Sequence, residues 1–452
     1  VRKSLVYPLA AGLVLALLAA PPAGAESDLE RLEKLEREMA LLKRKLEVQE
    51  EAATAKASTT PVVGAGPDGF FLRTPDQQFQ LKLRAYTQLD GRWLADPNEG
   101  GDDTFLFRRV RLNFEGTLFQ NIDFRVMPDF ANSTLTLFDA YVNFKYFPKA
   151  QLQAGKFKPP LGLERLQSAT ALMFIERAFP TLLVPSRDIG AMLWSELAEG
   201  LVTYQLGAFN GVRDGGTQDV DTDDGKDIVG RLFFHPFRPL GNEWLDGLGV
   251  GVAGSWGRID EQSPTSFRTT ASASNFFTYR AAVTGPPAIP AVSGDGERVR
   301  WSPQAYWYAG PVGFMAEYVS SEQEMRRGTD RDDLTNEAWQ VALSYALTGE
   351  NASYKGLIPA APFAPGEGQW GAFEVAARYN EIEFDDDSFP IYADPAVSAN
   401  EASGFTVGLN WYLNRWIKIA VNFDRTSFDG GAAGGADRDT EETFLTRLQL
   451  SY

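Results

Sequence analysis

The 452 residues carry 60 acidic against 43 basic side chains, a formal charge of −17, with 44% hydrophobic and 12% aromatic residues, one histidine and no cysteine. The lack of cysteine excludes a disulfide scaffold, thiolate metal sites and a cysteine nucleophile, and the lone His235 excludes a multi-histidine metal centre. Acidity of this size argues against nucleic acid or an anionic lipid surface as a partner.

In chain order, Arg2 and Lys3, an apolar run from Leu9 to Ala20 and the small residues Ala23-Gly24-Ala25 read as a secretory leader over residues 1–25. The mature chain then starts near Glu26 and is more acidic still. Beyond the leader no stretch approaches the roughly 18–20 uninterrupted apolar residues a membrane helix needs, so any membrane crossing is by strands. Residues 26–56 read as a helix in which Leu32, Leu35, Met39, Leu42 and Leu46 follow alternating three- and four-residue spacing. That is a short coiled-coil seam, marginal without a larger partner interface, and a solvated helix with no partner is the alternative. Residues 57–69, rich in Ala, Thr, Gly and Pro, read as a linker, and residues 70–452 as one β domain.

From Phe79 onward about sixteen segments alternate with the period of a strand. In the first, Phe79, Leu81, Leu83, Ala85, Leu89 and Trp93 point one way and Gln80, Lys82, Arg84, Tyr86, Gln88, Asp90 and Arg92 the other. Similar runs lie near 104–119, 121–130, 134–147, 150–158, 188–197, 200–211, 226–236, 247–258, 297–309, 311–321, 334–347, 368–383, 402–414, 416–428 and 441–452. Long connections rich in Asp and Gly at 95–103, 159–187, 212–225, 259–296, 320–333, 384–401 and 429–440 alternate with short turns, apart from a short 131–133 and a long 348–367. The last run, Glu441 to Tyr452, ends mid-strand and so needs the first strand to close its edge. An even strand number, alternating loop lengths and a closed edge predict an all-β fold: a 16-stranded antiparallel transmembrane β-barrel preceded by a short N-terminal coiled-coil helix. Trp93, Trp411, Tyr412 and Trp416 at strand ends fit aromatic girdles.

The inward faces carry Lys82, Arg84, Arg92, Arg109, Arg111, Arg125, Lys145, Arg231, Arg300, Arg378 and Arg447 against Asp90, Glu115, Asp123, Asp139, Glu317 and Glu374. Cations lead on those faces in a strongly acidic chain, so the acidity concentrates in loops and at strand ends. Arginine along a wet lumen lowers the barrier to anions, and its fork can hold a phosphate or carboxylate through two hydrogen bonds. Arg109 and Arg111 share a face about 6.8 Å apart by strand rise. The alternative is that these arginines pair with Glu115, Asp123 and Asp139 and only keep the lumen polar.

The stretch from Ser344-Tyr345-Ala346-Leu347-Thr348-Gly349-Glu350-Asn351 through Gly368-Gln369-Trp370-Gly371 to Arg378-Tyr379 resembles the phosphate-selective porin O and P family. Phe107-Arg108-Arg109-Val110-Arg111, Gly155 to Glu164 leading to Phe174-Ile175-Glu176-Arg177-Ala178, and Gly408-Leu409-Asn410-Trp411-Tyr412-Leu413-Asn414 agree with it, so the resemblance spans roughly residues 79–452. It implies an outer-membrane barrel, a homotrimer, a coiled coil on the periplasmic side, passive diffusion of anions, and a third outer loop, here 159–187, folded inward to narrow the channel. The family's double arginine matches Arg108 and Arg109, and its lysine at the start of that loop matches Lys158. Within the loop Lys156, Lys158, Arg165, Arg177 and Arg187 are the candidates for the narrowest point.

The expected function is therefore an outer-membrane porin for small anions such as phosphate or polyphosphate, not an enzyme. The candidate anion-binding and pore-lining residues are Arg84, Arg108, Arg109, Arg111, Arg125, Lys158, Arg165, Arg177, Arg231 and Arg378. Outer-membrane lipid and lipopolysaccharide are the expected surroundings, and no catalytic group, metal or cofactor is expected. A non-selective or sugar-passing porin and a barrel-anchored structural envelope protein are the other readings. Asp219, Asp221, Asp223, Asp224 and Asp227 resemble a calcium loop, but glycine falls seventh and Gly230 stands where a glutamate is needed, which favours a solvated outer loop. No serine and polar orienter accompany His235, so it is read as an interfacial residue.

Overall fold

The computed structural model describes residues 28–66, 69–95, 102–221 and 224–452; the expected leader lies outside them. The chain divides into two units, one ending at Pro61 and one spanning Val62–Tyr452. The first contains helix α1 (Asp28–Thr59), whose first turn carries Asp28 and Glu30 and whose surface is laced by Arg37–Glu33 and Arg44–Glu47 pairs, both 3.2 Å. Leu32, Leu35, Met39, Leu42 and Leu46 are all exposed along it.

The second unit opens with the hairpin β1 (Val62–Gly66) and β2 (Gly69–Arg73). Its first strand lies inside the stretch expected to be a linker: small and proline-containing composition did not prevent pairing there. The barrel wall follows as β3 (Phe79–Leu94), β4 (Thr104–Leu118), β5 (Ile122–Asp129), β6 (Thr136–Phe144), β7 (Gln151–Phe157) and β8 (Asp188–Leu197). It continues as β9 (Val202–Phe209), β10 (Asp227–Phe234), β11 (Leu248–Gln262), β14 (Ser293–Ala309), β15 (Val312–Arg327) and β16 (Asp330–Ala346). β17 (Ala372–Glu383), β18 (Ala399–Tyr412), β19 (Ile417–Gly430) and β20 (Glu441–Ser451) complete it, while β12 (Phe267–Arg268) and β13 (Asn275–Phe277) pair only with each other. Each wall strand pairs antiparallel with its neighbours, and β20 pairs with β3 from Thr443↔Leu94 to Ser451↔Tyr86. The result is a closed barrel of sixteen antiparallel strands.

The strand pattern inverts the rule for a water-soluble protein. On β18, Phe405, Val407 and Leu409 are exposed while Thr406 and Asn410 are buried, so the apolar face looks outward and the polar face inward, as a barrel in hydrocarbon requires. The expected 320–333 loop is instead strand: β15 and β16 run on to a two-residue turn at 328–329. Charged residues there alternate with Met325 and Leu334, both 1% exposed, whose burial carries the ladder past the polar stretch.

Two bulges reset the alternation. On β4 the register passes from Gln88↔Arg109 to Leu89↔Phe107, so Arg108 is an extra residue. On β6 it passes from Met127↔Asp139 to Pro128↔Leu137, so Phe138 is extra. A bulge re-aims the side chain it inserts.

Candidate functional site

The segment between β7 and β8, residues 158–187, has only one turn of helix, α2 (Leu163–Leu166), and a 3-10 turn at Phe179–Leu182. A loop with so little internal pairing must place its backbone polar groups elsewhere, and it places them on the inner face of the wall. Glu317 accepts the N–H groups of Leu163 (2.5 Å) and Glu164 (3.2 Å), Asn422 accepts that of Ile175 (2.7 Å), and Asn380 accepts that of Phe179 (3.0 Å). In the other direction Gln88 donates to the carbonyl of Ala169, Lys418 to Leu172, Asn410 to Met173, Arg447 to Ile175 and Arg378 to Glu176, at 2.7–3.0 Å. Glycine on β18 makes space for the amides that hold it: a Cβ at Gly408 would collide with Asn422 Nδ2, and one at Gly404 would lie 2.6 Å from Asn380 Nδ2.

Apolar side chains of the loops fill part of the interior. Phe276 and Phe277, both 0% exposed, pack with Phe179, Phe384 and Phe428. Beside them lies a cavity of about 960 Å³. Its lining includes eight of the ten expected site residues: Arg84, Arg108, Arg109, Arg111, Arg125, Lys158, Arg165 and Arg177. The other two fall outside that lining. Arg231 donates to Gln304 and Gln205 and lies over the Phe233 ring, and Arg378 donates to the loop carbonyl of Glu176 and to the hydroxyl of Thr406 on β18.

The cations of the cavity fall into two classes. In the first each has a carboxylate partner. Arg84 and Arg125 share Glu115 (3.2 and 2.7 Å), Arg111 holds Asp129 (2.7 Å), Arg187 holds Asp139 (2.6 Å), and Arg92 and Arg108 converge on Glu176 (3.2 and 2.6 Å). Burial works against charge on Glu176, yet Arg108, Arg109 and Arg92 outweigh it and hold its carboxyl well below the usual range. The second class has no carboxylate within ion-pair distance among the described residues. Arg109 donates to Gln88 (2.7 Å), Lys158 to the carbonyls of Leu166 (3.1 Å) and Gln167 (2.9 Å), Arg177 to those of Glu164 (3.2 Å) and Gln167 (2.9 Å), and Arg165 to that of Thr181. Burial, then the neighbouring Arg187 and Arg177, pushes the Lys158 ammonium well below the usual lysine range, and burial likewise pushes the Arg165 and Arg177 guanidiniums down. Carbonyl oxygens orient these cations without cancelling their charge, which leaves net positive potential in a confined space.

Alternation accounts for Arg109 and Arg111 facing inward but not for Arg108, whose Nε reaches Glu176 because of the bulge on β4. Phe138 enters by the matching bulge on β6 and lies against the guanidinium of Arg111, with its ring centre 3.8 Å from Cζ. Asp129, Glu176 and Phe138 were not expected here: the first ends its strand, the second belongs to a loop, and the third is out of phase with its strand. His235 is bonded to Gly200 O and Tyr306 Oη, at 2.9 and 2.8 Å. Among the described residues no cluster fit to hold a metal occurs, the part of the aspartate run described included.

The family model for phosphate-selective porin O and P matches residues 79–452. The chain belongs to that family. It is an outer-membrane porin, not an enzyme. Porin O of Pseudomonas aeruginosa is 27% identical over 433 residues, covering 89% of this chain and 95% of its own. Among solved structures, the outer membrane channel DcaP of Acinetobacter baumannii is 12% identical with a TM-score of 0.52, covering 85% of this chain and 99% of that one. OmpT of Vibrio cholerae is 9% identical with a TM-score of 0.50, covering 83% and 98%. At these identities the two structures bear on the fold alone, and the porin's selectivity has to be argued from its own residues.

Proposed function

We propose that this porin passes small anions, phosphate-like ones foremost and polyphosphate among them, through a lumen lined by arginine and lysine and narrowed by the 158–187 loop. The observation that carries the reading is that Arg109, Lys158, Arg165 and Arg177 line one cavity with no ion-pair partner among the described residues. Several weak cationic stations in series conduct, whereas one tight site would block. Arg84, Arg108, Arg111 and Arg125 shape and hydrate the path while their charge is offset by neighbouring carboxylates. Arg231 and Arg378 act at one remove, by bracing the wall and the loop.

The test is the zero-current potential across a planar bilayer in a KCl gradient, repeated with added phosphate. A chloride-directed potential, with chloride conductance falling as phosphate rises, is expected. A null or cation-directed potential would replace this reading with a general, sugar-passing porin, which the neutralised pairs of Arg84, Arg111, Arg125 and Arg187 would favour.

We further propose that the protein is a homotrimer, that its barrel meets outer-membrane lipid and lipopolysaccharide, and that α1 lies in the periplasm as one strand of a three-helix coiled coil over residues 26–56. Its exposed Leu32, Leu35, Met39, Leu42 and Leu46 support the last point. Removal of 26–56 with loss of the trimer on native electrophoresis is the expected result. Envelope defects with unchanged conductance would support a structural role instead.

A further inference from the structure

The anion path is not polar throughout. Phe138, Tyr141, Leu166, Leu182 and Trp194 also line the cavity, and each is only half-buried. They come from β6, β8 and the loop and sit among the cations: Phe138 is inserted by a bulge beside Asp139 and lies near both Arg111 and Arg187, and Tyr141 packs edge-on to Phe157 at 5.9 Å with Arg125 over its ring. Their orientation is fixed. Trp194 donates its indole N–H to Asn143 at 2.9 Å, and Phe138 is held by the Arg111 guanidinium.

A hydrated inorganic ion gains nothing from apolar side chains left half-exposed to the lumen; it is better served by polar ones. An anion with an apolar body gains twice, because its charge meets Lys158, Arg165 and Arg177 while its body removes apolar wall from water. A cavity of about 960 Å³ is far larger than one small inorganic ion requires and falls in the range of sites that enclose small organic molecules. We propose that the porin preferentially takes organic anions that join a carboxylate or phosphate group to an aromatic or aliphatic body, with Phe138 and Trp194 as specificity-determining residues. This rests on the anion-selective reading and narrows it.

The probes are benzoate and acetate, which share one charge and one carboxylate and differ in the ring, each titrated against chloride current through the full-length protein in planar bilayers. Benzoate is expected to half-block at a concentration about tenfold lower than acetate, and Phe138→Ala and Trp194→Ala are each expected to bring that ratio toward one. Equal block by the two probes in the unaltered protein overturns the proposal without needing either variant, and so does a benzoate advantage that both variants retain. The KCl zero-current potential of the same membranes separates the two readings. If it is not chloride-directed, the anion-selective reading fails; if it is chloride-directed and the probes block equally, only the preference for an apolar body fails.

Discussion

Arg447 on the last strand and Asp90 on the first face each other across the seam of the barrel, joined by hydrogen bonds of 2.6 and 2.7 Å between residues that are 3% and 0% exposed. The same guanidinium donates to the Ile175 carbonyl, so one side chain ties the seam to the loop. Removing one partner of a buried pair leaves the other charge uncompensated, at a cost of about 3–5 kcal/mol. Asp90→Ala is expected to lower the temperature at which the barrel unfolds in detergent, read from its heat-dependent shift on electrophoresis. Replacing Asp90 and Arg447 together by Asn and Gln is expected to recover part of that loss.

Lys158→Gln removes one of the uncompensated charges. A unit charge roughly 7 Å from a passing ion contributes about 2 kcal/mol at an effective dielectric of about 20, less where water screens it. The chloride-to-potassium permeability ratio is therefore expected to fall roughly three- to tenfold, with single-channel conductance in KCl as the companion reading. Arg84→Gln, which removes an arginine already sharing Glu115, is expected to change the ratio far less.

The pH dependence has a definite sign. Because burial and neighbouring guanidiniums lower the Lys158 pKa, its positive charge is present at low pH and is lost as pH rises, before an ordinary lysine would discharge. Anion selectivity is expected to decline as pH is raised, and to do so below the usual lysine range of about 10. Lys158→Arg, whose guanidinium keeps its proton far better, is expected to flatten that decline in zero-current potentials taken across the series.

Glu176 holds Arg92 and Arg108 at once. Glu176→Gln keeps the shape but leaves both guanidiniums without their carboxylate. The variant is expected to be more anion-selective than the parent and to unfold at lower temperature. A rise in selectivity with no loss of stability would show that Glu176 is not what secures the loop.

All sixteen wall strands were legible in the sequence because the membrane imposes a strict alternation of apolar and polar residues, and that alternation survives at Phe405, Val407 and Leu409 as clearly as anywhere. Lumen arginines on regular strands, Arg109 and Arg111 among them, were legible for the same reason. Alternation alone gave neither Arg108, which only the resemblance to the family's double arginine placed in the lumen, nor Phe138, since a bulge shifts phase by one residue and leaves no mark in composition. Of the neutralising partners, Glu115 and Asp139 were legible on the inward faces, whereas Glu176 was not: it is remote in sequence from Arg108, and only the path of the loop brings them together. The 320–333 connection was misread because its charges look like a solvated loop, whereas they lie on strands that extend beyond the apolar belt.

Pairing of β20 stops opposite Tyr86, and Tyr452 exchanges two backbone hydrogen bonds with Ala85; below them β2 takes over the same edge of β3, from Leu83 to Gln80, with Phe70 packed edge-on against Tyr452 at 5.9 Å. The N-terminal hairpin thus occupies one of the two directions in which the seam could slip. A shift of two residues would keep every side chain on its proper face and so escape the usual penalty for misregister, but here it would drive Tyr452 into the place held by Phe70. The hairpin works as an end-stop on that side, guarding the stagger of the cylinder and with it the bore.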